Sequence, residues 1–139
     1  MAEFVEASEQ TVEEWRPGVT TRLIAAARNG AATLCAFEQH SQPGTGAPRH
    51  RHPDDEELII VLEGIADFTV EGTLRRISEG AAVIVPPGAV HSFVNAGQQV
   101  LHTIAMFGSA SPTVVYEDEP DSAMTIGGAD SHGPHRSSN

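Results

Sequence analysis

Between residues 19 and 107 the hydrophobic positions fall into short runs separated by Gly, Pro and Asn. Runs so brief and so regularly interrupted leave no room for helices with a buried stripe, and they read as closely spaced strands. Eight are expected, over 19–26, 32–40, 58–63, 66–70, 74–77, 82–85, 90–94 and 100–107. Turns fall at Asn29-Gly30, 42–46, Glu71-Gly72, Glu79-Gly80, Pro87-Gly88 and 95–97, where Gly accepts positive φ and Pro presets a negative one. Eight short strands in one small domain predict an all-β architecture, an antiparallel closed barrel or double sheet.

One run is apolar on both faces: Glu57-Leu58-Ile59-Ile60-Val61-Leu62. Side chains alternate along a strand, so if Glu57 points into the barrel, Ile59 and Val61 do too. Leu58, Ile60 and Leu62 then need an outer cover, either the N-terminal segment or a second subunit, and a homodimer is expected. The chain divides into an N-terminal extension over 1–18 that can supply a covering strand, a barrel over 19–116, and an acidic, Gly/Ser-rich tail over 117–139 that should be disordered. His132 and His135 lie in that tail and read as solvated, with adventitious metal capture the lesser reading.

Composition narrows the function. A chain of 139 residues supports one core. The net charge is -11 and the eight basic residues, all Arg, are scattered, so a nucleic-acid partner is not expected. Acid concentrates at 3–14, 54–57 and 117–130. No apolar run approaches the roughly 20 residues that span a bilayer, and the first residues resemble no secretory leader. No membrane partner is expected, and a soluble cytoplasmic protein is the default. The single Cys35 forms no internal disulfide and reads as a small buried hydrophobe.

The chemistry is concentrated in two blocks. The first runs Gly44, five residues, His50-Arg51-His52, four residues, Glu57, six residues, Gly64; the second runs Gly80, five residues, Pro86-Pro87-Gly88, two residues, His91, three residues, Asn95. His50 and His52 share one side of an extended segment. With a carboxylate beyond a turn and His91 from a distant strand, they compose a shell of three nitrogens and one oxygen for a metal. Asp54, Asp55, Glu56 and Glu57 are consecutive, and Glu57 is favoured because its spacing from Gly64 turns it toward the histidines. Glu56 is the competing register. Asn95 should close the following turn through side-chain hydrogen bonds.

These two blocks resemble the paired motifs of a small single-domain cupin. Gly44, His50, His52, Glu57 and Gly64 match the first motif, and Gly80, Pro86, Gly88, His91 and Asn95 match the second, with Ile65 to Glu79 between them. The resemblance implies the cupin double-stranded β-helix, or jelly-roll barrel. It also implies one divalent metal ion, iron, manganese, nickel, copper or zinc, held by His50, His52, Glu57 and His91. Such an ion leaves positions for substrate or water, polarises a carbonyl or enolate oxygen, and as iron admits dioxygen.

Parity suggests the rest of the pocket. Ile59, Val61 and Phe93 share faces with ligands. On the last main strand one alternate set is Val100, His102, Ile104 and Met106, and the other is Leu101, Thr103, Ala105 and Phe107. If the first set faces inward, Ile104 and Met106 line the cavity and His102 acts as a catalytic acid or base or orients the substrate; the alternative is a His102 that faces outward or is only a hydrogen-bonded core histidine. Of Gln39 and His40 only one can face in. The expected function is a metal-dependent enzyme acting on a small oxygenated metabolite, with a quercetinase-like dioxygenase first. The alternatives are an oxygen-independent isomerase, cyclase, lyase or decarboxylase, or a non-catalytic metabolite-binding barrel.

Overall fold

The computed structural model describes residues 2–128 and Pro134; His132 and His135 lie outside the described residues. Twelve strands follow in chain order: β1 (Val12–Arg16), β2 (Val19–Ala25), β3 (Cys35–Ser41), β4 (Gly46–Arg51), β5 (Glu57–Glu63), β6 (Ile65–Val70), β7 (Thr73–Ser78), β8 (Ala82–Val85), β9 (His91–Asn95), β10 (Leu101–Phe107), β11 (Thr113–Tyr116) and β12 (Ala123–Thr125). All eight expected strands are present within a few residues. Four more, β1, β4, β11 and β12, add to them.

They form two six-stranded antiparallel sheets, β1-β2-β3-β10-β5-β8 and β12-β11-β4-β9-β6-β7. The protein is a jelly-roll β-barrel. Its core is the alternate residues of both inner faces: Phe37, Ile59, Val61, Leu101, Ala105 and Phe107 from the first sheet, Ala66, Phe68, Phe93 and Val114 from the second. Aromatic rings pack within each layer, with Phe68 against Phe93 at 4.9 Å in the second sheet and Trp15 against Phe37 at 5.0 Å in the first, between centroids. Cys35 is buried as expected, and burial pushes its thiol pKa up to about 12, which makes it a packing residue.

Two local features shape the second sheet around the site. Gly46 of β4 lies so close to β9 that a Cβ there would meet the Phe93 carbonyl oxygen at 2.0 Å, so only glycine fits. Just beyond it, Ala47 pairs with Phe93 and His50 with His91, which sets three steps on β4 against two on β9. This bulge re-aims the strand, as bulges beside functional sites do, and leaves Ala47 and His50 both buried.

Expectation and structure part in three places. β1 extends the first sheet at the edge away from β8, so it does not lie over β5; Leu62 and Ile84 remain 37% and 66% exposed on that outer side. Residues 117–128, expected to begin a disordered tail, pair β12 with β11 and bury Ile126. The alternation of Met124 and Ile126 gives this short acidic segment one apolar face, which suffices to dock it. On β10, Leu101, Thr103, Ala105 and Phe107 are buried while His102, Ile104 and Met106 are only half-buried. The inward set is therefore the opposite of the one that carried His102, Ile104 and Met106.

Candidate metal centre

His50, His52, Glu57 and His91 converge inside the barrel, each with a ligand atom within 4.8 Å of the others, and all four are buried. His50 comes from the bulged strand β4 and His52 from just beyond its end. Glu57 opens β5 on the facing sheet, and His91 opens β9. The Pro86-Pro87-Gly88 turn joins the two motifs. Gly88 has φ +80°, a conformation glycine accepts freely, and its N–H donates to the His52 carbonyl at 2.8 Å. Asn95 closes its turn as expected, accepting from Gly97 N–H at 2.9 Å and donating to the Ser41 and Gln99 carbonyls at 2.9 and 2.7 Å.

Backbone carbonyls set the ring tautomers. His50 Nδ1 lies 2.6 Å from the Pro48 carbonyl, His52 Nδ1 2.9 Å from that of Thr113, and His91 Nδ1 3.0 Å from that of Ala89. A carbonyl oxygen only accepts, so each Nδ1 carries a proton and each Nε2 faces the centre. That is the arrangement by which outer hydrogen bonds orient metal-bound imidazoles. Glu57 Oε1 sits among them, 2.9 Å from His91 Nε2 and 3.3 Å from His52 Nε2.

The electrostatics suit a divalent cation. Burial by itself would raise the Glu57 pKa, but the His52 and His91 rings lower it below the ordinary carboxylate range. Burial first, then the neighbouring His91 and His52, hold His50 well below its usual value and so neutral. Burial also opposes a charge on His52, yet the adjoining Glu57 carboxylate outweighs it and raises that pKa. His52 Nε2 is buried and makes no well-directed hydrogen bond, although the Glu57 carboxylate lies 3.3 Å away. Three imidazole nitrogens and a carboxylate oxygen converging within 4.8 Å of one another fit a divalent transition metal. Glu56 is exposed and stands outside this group, so the register that put it there does not occur.

The pocket above the tetrad contains Ile59 and Phe93 as expected. Val61 is fully buried but belongs to the core beneath, outside that lining. His102, Ile104 and Met106 point to the other side of the sheet. There His102 stacks on His40 at 4.2 Å between centroids and lies 3.2 Å from Glu38, so it has no access to the cavity as an acid or base. Gln39, not His40, faces inward, with its Nε2 donating to Thr21 Oγ1 at 3.0 Å.

Other lining residues, Trp15, Arg16, Thr103, Val114, Tyr116 and Ile126, lie mostly on strands the hydrophobic pattern did not delimit. The available signals were the run Thr113-Val114-Val115-Tyr116 after Pro112, and Trp15-Arg16 ahead of the Pro17-Gly18 turn. Tyr116 pairs with His50 across the β11 and β4 ladder, so the missed strand forms a wall of the site.

A jelly-roll barrel enclosing a buried centre of three histidines and one glutamate is the class that fold and site define. The cupin domain family profile matches residues 37–107, just over half of the chain. The chain belongs to the cupin family. It is 35% identical over 78 residues to a putative germin-like protein 9-2 of Oryza sativa subsp. japonica, covering 52% of this chain and 36% of that protein. It is 29% identical over 113 residues to oxalate oxidase GF-3.8 of Triticum aestivum, covering 76% of this chain and 46% of that one. This chain thus spans less than half of either relative. Among solved structures, the polyketide cyclase RemF from Streptomyces resistomycificus superposes with a TM-score of 0.68 at 22% identity, covering 97% of this chain and 91% of that one; at that identity the likeness is one of fold.

Proposed function

We propose that this chain is a metal-dependent enzyme acting on a small oxygenated organic metabolite. The observation that carries the reading is the buried convergence of three carbonyl-anchored imidazoles and one carboxylate. An oxalate oxidase among the relatives supports a small oxygenated substrate. A divalent ion held by His50, His52, Glu57 and His91 would supply Lewis-acid polarisation of a substrate oxygen and, with a redox-active metal, electron transfer.

The chain's own residues supply the rest. Phe37, Ile59, Phe93 and Ala105 wall the pocket with apolar surface, which excludes water and strengthens every charge interaction inside. Gln39 and Thr103 add polar side chains to that wall, and the bond to Thr21 fixes the Gln39 amide. A dioxygenase of quercetinase-like type is the first form of this reading. Oxygen-independent isomerisation, cyclisation, lysis or decarboxylation is the second, since the same ligand set serves both.

Elemental analysis of protein purified without added metal, then an oxygen-electrode screen of diketones, flavonols and small organic acids, tests the reading. Oxygen uptake that is lost in His50→Ala supports the dioxygenase, and turnover under argon supports the second form. Protein that takes up no stoichiometric divalent metal after loading refutes both, and ligand binding without turnover leaves a metabolite-binding barrel. The apolar outer residues Leu58, Ile60 and Ile84 support a homodimer, which sedimentation measures directly. A cytoplasmic location belongs to the same reading.

A further inference from the structure

Arg16 is 4% exposed and lines the pocket beside His50, His52 and Glu57. Its partners are neutral. Nη1 donates to the Gly46 carbonyl at 2.9 Å, and Nη2 lies 3.5 Å from the Tyr116 hydroxyl. Its Nε is buried with no hydrogen-bond partner, and none of the ion pairs among the described residues includes Arg16. Among the described residues of the lining, the one carboxylate, Glu57, is turned toward His52 and His91.

A guanidinium cannot shed its proton at ordinary pH, so it remains charged here. Burying a charge is costly unless an opposite charge meets it. The two contacts that Arg16 does make hold it in place: the Gly46 carbonyl belongs to the glycine packed against β9, and Tyr116 is paired in register with His50. What stays without a partner is Nε, which shares an edge of the guanidinium with Nη2. That edge matches the two oxygens of a carboxylate.

We infer that Arg16 is the anion anchor of this pocket and that the substrate is a small organic acid whose carboxylate seats on its Nε and Nη2 edge. This deepens the function proposed above and rests on it for the rest of the substrate, a second oxygen that faces the His50, His52, Glu57 and His91 group. Walls of Trp15, Phe37 and Phe93 keep the acid small. The ion pair would form where water is excluded, so the site should bind a neutral isostere more weakly, because the bound isostere would leave the buried charge unmet.

The test compares acetate, lactate and malonate with acetamide, lactamide and malonamide by calorimetric titration of the full chain, metal-loaded and metal-free, with metal content measured separately. At least one acid should bind about tenfold tighter than its amide, the span of one charge-assisted pairing. Arg16→Gln should erase that preference while metal content stays at the parental level. Should Arg16→Gln fail to fold, Arg16→Lys replaces it, since it keeps the charge but lacks the planar fork, and the preference should shrink several-fold. Equal binding of acids and amides by the parent, absence of binding by every acid, or a full preference in either folded variant overturns the inference. If no metal binds but the preference appears and depends on Arg16, the anion site stands and the metal-enzyme reading falls.

Discussion

A cluster of histidine and carboxylate lies against each face of the first sheet, the inner one shared with β4 and β9 of the second sheet, and the two clusters differ in everything except proximity. Inside, His50, His52, Glu57 and His91 meet; outside, Glu38, His40 and His102 do, and in both groups the candidate ligand atoms lie within 4.8 Å of one another. The inner rings are buried and each Nδ1 is turned to a backbone carbonyl, so their Nε2 atoms converge before any ion arrives. The outer rings are half-buried or exposed, stack flat on each other, and share Glu38 with Arg22. Closeness alone is therefore a weak sign of a metal centre, and outer hydrogen bonds that fix ring orientation are a strong one.

The largest expected contrast is in metal affinity. His91→Ala should lower it at least about a thousandfold, roughly 4 kcal/mol, whereas His102→Ala should leave the stoichiometry by elemental analysis at the parental value. An equal loss in both would erase the distinction between the two sides.

The next contrast is in packing. Ile59 is 3% exposed, and Ile59→Ala should destabilise by about 3 kcal/mol in urea unfolding, from lost burial and the cavity left behind. Ile60, its neighbour on the outer face, should cost the monomer about 1 kcal/mol or less on the same change. A larger loss at Ile60 that depends on protein concentration would instead report a second copy on that face.

The pH dependence of the metal-free protein sharpens the electrostatic side. His50 is held well below 6.5 in the fold by burial and its neighbouring rings. The unfolded chain therefore takes up a proton that the folded chain refuses. Stability from this group is present above about pH 6.5 and is lost as pH falls. The raised pKa of His52 works the other way, adding stability below its unfolded value and losing it as pH rises through the folded one. His50→Gln should consequently lose less melting temperature than the parent between about pH 6.5 and 5; an identical slope would remove His50 as its source. The smallest effect is expected outside: Glu38→Gln breaks contacts to Arg22 and His102 on a partly exposed surface and should change stability by about 1 kcal/mol or less.

Legible in the chain itself were the eight main strands and the two spaced motifs, because turn residues and alternation are local signals. The choice of Glu57 over Glu56 was legible too, since one step along a strand reverses a side chain. The same rule could not settle β10. Both of its alternating sets are largely apolar, so its phase depended on its register in the ladders with β3 and β5 and on which face of that sheet met the other, and that placed Thr103 and Ala105 in the pocket and His102 outside. Nor could local pattern reveal that the carbonyls of Pro48, Thr113 and Ala89 would turn three rings inward, or that Arg16 would be buried without an opposite charge. The Pro48 and Ala89 contacts span only two residues each, but their rings meet one another, and His52 meets Thr113 and Arg16 meets Gly46 and Tyr116 across tens of positions, only because two sheets close around one cavity.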